Sequence, residues 1–368
     1  MGLFGRVKGK KEETAVRNEI VESIGAFRRE LKEAGEQEER HEISREEFVF
    51  LLSGIATCRK APGIPVHMGY EEMYHCESEE AAAQTREHLE RLFGVTDRDS
   101  LEGEFEQSYS SHDEYVQFLS FWNGEPAFDI KQLNPHGLEA FQNSKNYAAQ
   151  FRPLVEHTGF YAWDCNERIG LCRKACACGI LTEEEFWEIT LPLARRAASW
   201  FDSWESYAVS CLCGAVYFSF RTGYTEEETK NFYELNLNLV RHLTEQGGAW
   251  SRNSWYHFPE KQWAIPGDQM KELLEDWEGA DGCIATDRIL VDGCPVGYLY
   301  REEPDGGWDS GWRFMAGDET QDYMDNPEKS GIYKLNTICN YDPDIIPLLK
   351  APYGSQYARG EDGKFYKE

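Results

Sequence analysis

GFYAWDCNERIGLCRKACACG, residues 159–179, decides the class of the chain. Ala162, Cys165, Ile169, Cys172 and Cys176 recur at steps of three, four, three and four, which lines them up on one face of an α-helix. Gly179 supplies the stop, since glycine enters the left-handed conformation without a Cβ clash. Thr182 with Glu185 is a capping box for a following helix carrying Phe186, Leu193, Ala197 and Trp200, with Pro192 expected to kink it. Trp204, Ala208, Cys211, Ala215 and Phe218 repeat the stripe. Thr225 with Glu228 opens one more helix, which Gly247-Gly248 closes. Connections this short predict antiparallel packing.

The same period extends toward the N-terminus. Ile20, Ile24, Phe27 and Leu31 predict a helix over 14–35, followed by a polar link over Gly35–Arg40. Ser44 with Glu47 opens a helix through Phe48, Leu51, Leu52 and Ile55, which the run Ala61-Pro62-Gly63-Ile64-Pro65 ends. Further helices are expected over 79–93, from a Thr96 cap through Leu101 and Phe105, and over 112–122. Near residue 280 the texture changes. Cys283–Leu290 and Cys294–Arg301 read as two strands joined by an Asp292-Gly293 hairpin turn, and Gly311–Ala316 as a third. Asp342-Pro343 starts a helix that Pro347 keeps short. The expected fold class is α+β: an N-terminal helical segment (1–60), an acidic α-helical domain (61–280) and a small α+β domain (281–368).

Composition bounds the function. The chain of 368 residues carries 11 tryptophans, whose rings need burial, so it folds into cores. Its net charge is −28. Residues 1–60 are neutral, 61–280 carry −20 and 281–368 carry −8. Such a field repels nucleic acid and anionic membrane and attracts basic partners. No apolar run reaches the length of a membrane span, the first residues lack a signal peptide's apolar stretch, and Gly2 is followed by Arg6 where myristoylation needs Ser or Thr. A cytoplasmic location is expected, with the 11 cysteines reduced. Cys176/Cys178 and Cys211/Cys213 lack the spacing of structural zinc ligands, and their neighbours sit on apolar stripes, so neither metal nor cofactor is expected. No Gly-x-Ser-x-Gly, His-Glu-x-x-His or phosphate-cradling glycine loop is present, and no enzymatic activity is expected.

Two segments resemble bacterial families. CIATDRI (283–289), VGYLYREEP (296–304), DSGWRF (309–314), GDE (317–319), YMDNP (323–327), GIY (331–333), LNT (335–337) and NYDP (340–343) resemble the immunity-protein domain numbered thirty-three among polymorphic-toxin systems, also called domain of unknown function twenty-one eighty-five. LFGVTD (92–97), GFYAWD (159–164), Arg168, Glu183-Glu184-Glu185 and Ser203-Trp204 resemble the bacterial domain of unknown function twelve sixty-six, over about 75–258. That family's usual Gly-Arg pair stands here as Gly214-Ala215, so no role is carried over for the arginine. The first 60 residues fall under neither. The first resemblance implies a bacterial immunity protein that binds and neutralises a cognate toxin by steric blockade, with electrostatic attraction to a basic toxin surface. It names a context, and function still has to be argued from a site.

The tail offers the partner-binding candidates. Glu302, Glu303, Asp305 and Asp309 ring Trp308, a pattern that fits either a patch for a basic surface or a solvated loop. Trp312 and Arg313 are typical interface anchors, but on an alternating strand they point to opposite faces, so one belongs to the core. Asp318 fits either a turn cap or a charge presented to a toxin. In the helical domain, Asp164 and Arg168 lie one turn apart, either as a polar site or as a pair that fixes helix register. The alternative functions are an enzyme or small-ligand sensor at that pair, or a modular adaptor.

Overall fold

Capping chemistry sets the helices. The computed structural model describes residues 3–33, 40–59, 65–126, 128–259, 261–304, 306–324, 326, 329–360 and 362–368. The link over 34–39 and the Pro-Gly run over 60–64 lie outside them. The chain divides into two units, Met1–Phe258 and Pro259–Glu368. The first contains α1 (Leu3–Glu33), α2 (Arg45–Leu52), α3 (Gly54–Cys58), the antiparallel pair β1 (Val66–His67) and β2 (His75–Cys76), α4 (Glu79–Phe93), α5 (Arg98–Ser108), α6 (Ser111–Trp122), α7 (Pro135–Ala149), α8 (Arg152–Val155), α9 (Tyr161–Ala177), α10 (Glu183–Trp200), α11 (Trp204–Arg221) and α12 (Glu226–Thr244). Ser44, Thr182 and Thr225 each close the expected capping box. The cap of α5 is Asp97 rather than Thr96: its carboxylate accepts from Ser100 N, and Ser100 Oγ accepts from Asp97 N.

Helices α9 and α11 form the middle of this unit, with α10 and α12 against them and α1 lying along α11 and α12. Glycine permits the closest approaches. A Cβ on Gly170 of α9 would strike Ala56 of α3, and one on Gly214 of α11 would strike Trp163 of α9. The stripe Ala162, Cys165, Ile169 and Cys172 is buried as expected, but α9 is buried on its other faces too. Its polar residues there serve the ends of neighbouring helices. Asn166 Oδ1 accepts from Ile55 N and Ala56 N, at 3.1 and 3.2 Å, in the first turn of α3. Arg173 Nη1 donates to Phe50 O of α2 at 3.0 Å and to Ser53 Oγ at 2.8 Å. Helix ends leave unpaired backbone groups that must find partners when buried.

In the second unit the strands are β3 (Gly282–Thr286), β4 (Tyr298–Arg301), β5 (Asp309–Met315), β6 (Ser330–Lys334), β7 (Gln356–Arg359) and β8 (Phe365–Lys367), in the order β6-β3-β5-β4-β7-β8. β3 pairs β5 in parallel and every other pairing is antiparallel. The helices are α13 (Asp287–Leu290), α14 (Gln321–Met324) and α15 (Leu335–Tyr341), and Pro343–Leu348 is a 3₁₀ stretch that contains Pro347. The expected hairpin at Asp292-Gly293 is absent, because the chain leaves the sheet at Thr286. α13 turns Ile289 and Leu290 into the core, and β5 comes between β3 and β4. The two apolar runs read as adjacent strands are thus a strand, a helical turn and a non-adjacent strand.

Strand parity separates the faces of the sheet. Cys283, Ala285, Leu299, Trp312 and Phe314 share one face and pack on Ile289, Leu290, Leu335, Ile338, Ile345 and Leu349. Trp312 is fully buried, and its Nε1 donates to Leu349 O at 3.1 Å. α13, α15 and the 3₁₀ stretch lie on this side.

Candidate functional site

The register places Ile332, Ile284, Arg313 and Tyr300 side by side across β6, β3, β5 and β4 on the face opposite the helices. Tyr298 and Met315 form the next row, and Tyr366 of β8 lies beyond Ala358 on the same side. Ile332 is 63 % exposed and Tyr366 55 %. Trp308, 46 % exposed, joins this face: a Cβ on Gly282 would meet its ring, so the indole lies over Gly282 next to Ile284. Exposed apolar and aromatic side chains gathered on one sheet face have the composition of an interface centre.

The middle of that face is braced by an ion cluster. Arg313 Nη1 and Nη2 donate to the two carboxylate oxygens of Asp309 at 2.9 and 2.7 Å, and Nε donates to Glu302 Oε1 at 2.6 Å. The Asp309 side chain is wholly buried, and Glu302 closes the exposed edge. The bonds to Asp309, outweighing burial, hold the Arg313 guanidinium firmly charged. A bidentate pair of this kind fixes geometry as well as charge. Gly311, with φ +81°, lies between the two ends of the cluster, where its backbone N–H donates to Asp309 Oδ1 at 2.8 Å.

The residues read from sequence therefore separate. Glu303 and Trp308 are exposed, and Glu302 is partly exposed but engaged by Arg313. Asp305 lies outside the described residues. Asp309 is a buried counterion rather than a presented charge, and Trp312 is a core residue rather than an anchor. Arg313 is buried as well, because it sits on a central strand between neighbouring side chains with Asp309 and Glu302 packed against its guanidinium. Asp318 does not stand free: its carboxylate takes Nε and Nη2 of Arg288 at 3.1 and 2.6 Å, which lowers its pKa with help from its own backbone N–H. Glu319 does the capping, accepting from Ala316 N and Gly317 N at 2.8 Å each. Ile332, Tyr366, Tyr298 and Tyr300 were not among the sequence candidates.

Asp164 and Arg168 act on a helix junction. Asp164 Oδ2 accepts from His112 N at 2.7 Å in the first turn of α6, whose own N-cap residue Ser110 makes no side-chain cap. Arg168 Nε donates to Tyr109 O at 2.8 Å, just ahead of the same turn. The pair thus holds the α5–α6 corner onto α9. Burial pushes the Asp164 carboxyl up to about 7 from 3.8, partly offset by the His112 N–H. A folded-state pKa above the unfolded one means stability that is present below pH 4 and is lost as pH rises through 7. His112 has the opposite sign: burial lowers it from 6.5 to about 3, so its contribution is lost as pH falls below 6.5. Asp164→Asn keeps an acceptor for His112 N and removes the charge. It is expected to stabilise the protein by about 2–3 kcal/mol at pH 8 and by almost nothing at pH 4, checked by urea titration at both values.

Comparison with known families gives two matches. The family described as "Protein of unknown function (DUF1266)" matches residues 70–255, and the "Immunity protein Imm33 domain" matches residues 283–368. No curated protein and no solved structure matches the chain.

Proposed function

We propose, for a chain that belongs to the DUF1266 family and ends in an Imm33 immunity domain, that it acts in a polymorphic toxin system by covering a cognate toxin with the open sheet face of its second unit. The observation that carries this reading is the row Ile332, Ile284 and Tyr300 with Trp308 and Tyr366 on one face, Ile332, Trp308 and Tyr366 exposed and Ile284 and Tyr300 half-buried, braced by the Arg313–Asp309 clamp. Rigid aromatic and aliphatic side chains lose little entropy on binding, which suits a blocking surface.

Charge supplies the approach. Residues 259–368 hold 11 Lys+Arg and 23 Asp+Glu, a net charge of −12. That field speeds the encounter with a basic toxin, while the apolar row holds it afterwards. Blockade is steric, with no chemistry required of the chain. The expected setting is the cytoplasm of the producing cell. Among the described residues no helix is long and apolar enough to cross a membrane.

Two variants test the division of labour, using the tagged full chain and the protein it retains from its native lysate. Ile332→Arg is expected to weaken binding roughly a hundredfold through faster dissociation, because it puts a charge into the contact centre. Glu303→Lys is expected to slow association at low salt and leave dissociation unchanged, with the difference fading as salt rises. Retention unaffected by Ile332→Arg would place the contact elsewhere on the chain.

A further inference from the structure

The first unit contains a cavity of about 330 Å³ between α3, α4, α9, α11 and α12, reaching Trp163 and Tyr109 beside the Asp164 corner. Its floor is aromatic, with Trp163, Tyr109, Phe218 and Phe232 among the lining residues. Two cations and one carboxylate also line it: Arg59, Lys174 and Glu167. Glu167 is fully engaged, with Oε2 taking Arg59 Nη1 at 2.9 Å and Oε1 taking Asn166 Nδ2 at 2.7 Å. Arg59 is further fixed by Asn236 Oδ1 at 3.1 Å and stacks over the Trp163 ring at 5.3 Å. One positive charge is left over. Lys174 has no ion-pair or hydrogen-bond partner among the described residues, and burial holds its pKa below the ordinary lysine value.

The donors here are also unsatisfied. Trp163 is 1 % exposed, and its Nε1 has no acceptor among the described residues; neither has Nε of Arg59. Buried donors without acceptors are uncommon, since each costs about 1–3 kcal/mol, and these two stand within the cavity wall rather than on its surface. Lys174 is half-buried, with the Glu167 carboxylate near enough to raise its pKa but not at ion-pair distance. The volume, the aromatic walls and the two cationic residues in the lining are those of a small-molecule site.

We infer that this cavity binds a small organic anion with a flat apolar body, its carboxylate or phosphate held by Lys174 and Arg59 and its body seated on Trp163 and Phe232. Nothing in this inference depends on how the second unit acts.

The test is isothermal titration of the full chain with 2-naphthoate, alongside its uncharged analogue 2-naphthalenemethanol. Wild type is expected to bind naphthoate at one site, and the alcohol at least about tenfold more weakly, the loss of roughly one charge-assisted contact. Lys174→Met is expected to weaken naphthoate by about tenfold and leave the alcohol unchanged, with Lys174→Arg restoring the carboxylate preference. Lys174 lies at the cavity edge and makes no structural bond, so the methionine variant is expected to melt with the wild type. No naphthoate binding at millimolar probe, equal binding of acid and alcohol, or equal binding by wild type and Lys174→Met would each overturn the assignment. Ile332→Arg leaves this titration unchanged, which separates its failure from failure of the toxin-binding reading.

Discussion

Replacing Arg173 with alanine is expected to lower the stability of the first unit by about 3–5 kcal/mol, comparable with removing one partner of a buried ion pair. Arg173 is fully buried on α9. Its Nη1 serves Phe50 O, Ser53 Oγ and Thr57 Oγ1, and its Nη2 serves Gly69 O, at 2.6 Å, and Glu72 O. The guanidinium lies over the Tyr74 ring at 3.7 Å and the Phe50 ring at 5.0 Å, with no carboxylate at ion-pair distance among the described residues. Burial lowers its pKa to about 10, so the charge is retained at neutral pH, compensated by carbonyls, hydroxyls and π-faces, with Glu72 contributing from beyond ion-pair distance. Alanine leaves those carbonyls buried without donors and opens a void between α2 and the Gly69–Tyr74 loop. Arg173→Lys is expected to recover less than half of the loss, since one ammonium cannot span five acceptors. Urea titration followed by tryptophan fluorescence measures this, and a loss below about 1 kcal/mol would mean that the acceptors find other partners.

Removing Asp309 has the second large effect. Asp309→Ala leaves the Arg313 guanidinium in the sheet with only Glu302 to balance it, at an expected loss of about 3–5 kcal/mol. The same substitution frees Gly311 N, which Asp309 also holds. The double variant Asp309→Leu with Arg313→Met is expected to cost far less than the two single changes together, because no charge is left stranded. A double-mutant cycle in urea reads the coupling directly. Additive losses would show that the two side chains act independently despite their 2.7 Å contact. The double variant also separates brace from contact: the face keeps Ile332, Trp308 and Tyr366 but loses its rigid centre.

Local signals carried far in this chain. Helix α4 runs over the residues its composition predicted, and the boxes at Ser44, Thr182 and Thr225 form because both of their members lie within one turn. Thr96 and Asp97 are adjacent residues of the same capping class, and what separates them is that the Asp97 carboxylate accepts from Ser100 N. What sequence could not show is interaction at a distance. The polar residues of α9 look solvent-facing on a helical wheel, yet Asp164, Asn166 and Arg173 complete the ends of α6, α3 and α2, and those partners are far away in the chain. Alternation in β5 correctly put Trp312 and Arg313 on opposite faces, but burial of both follows from a central strand position that pattern alone does not give. The open face escaped for the same reason. Ile332 and Tyr333 alternate, and which of them meets helices is decided by where α13 and α15 pack.

The central claim is that the sheet face opposite the helices neutralises a toxin. Growth measures it most directly. The protein retained by the tagged chain is expressed alone, with the full chain, and with the full chain carrying Ile332→Arg or Lys174→Met. The account predicts arrest by the retained protein alone, rescue by the wild-type chain and by Lys174→Met, and loss of rescue with Ile332→Arg. Full protection by a stably folded Ile332→Arg chain would contradict it.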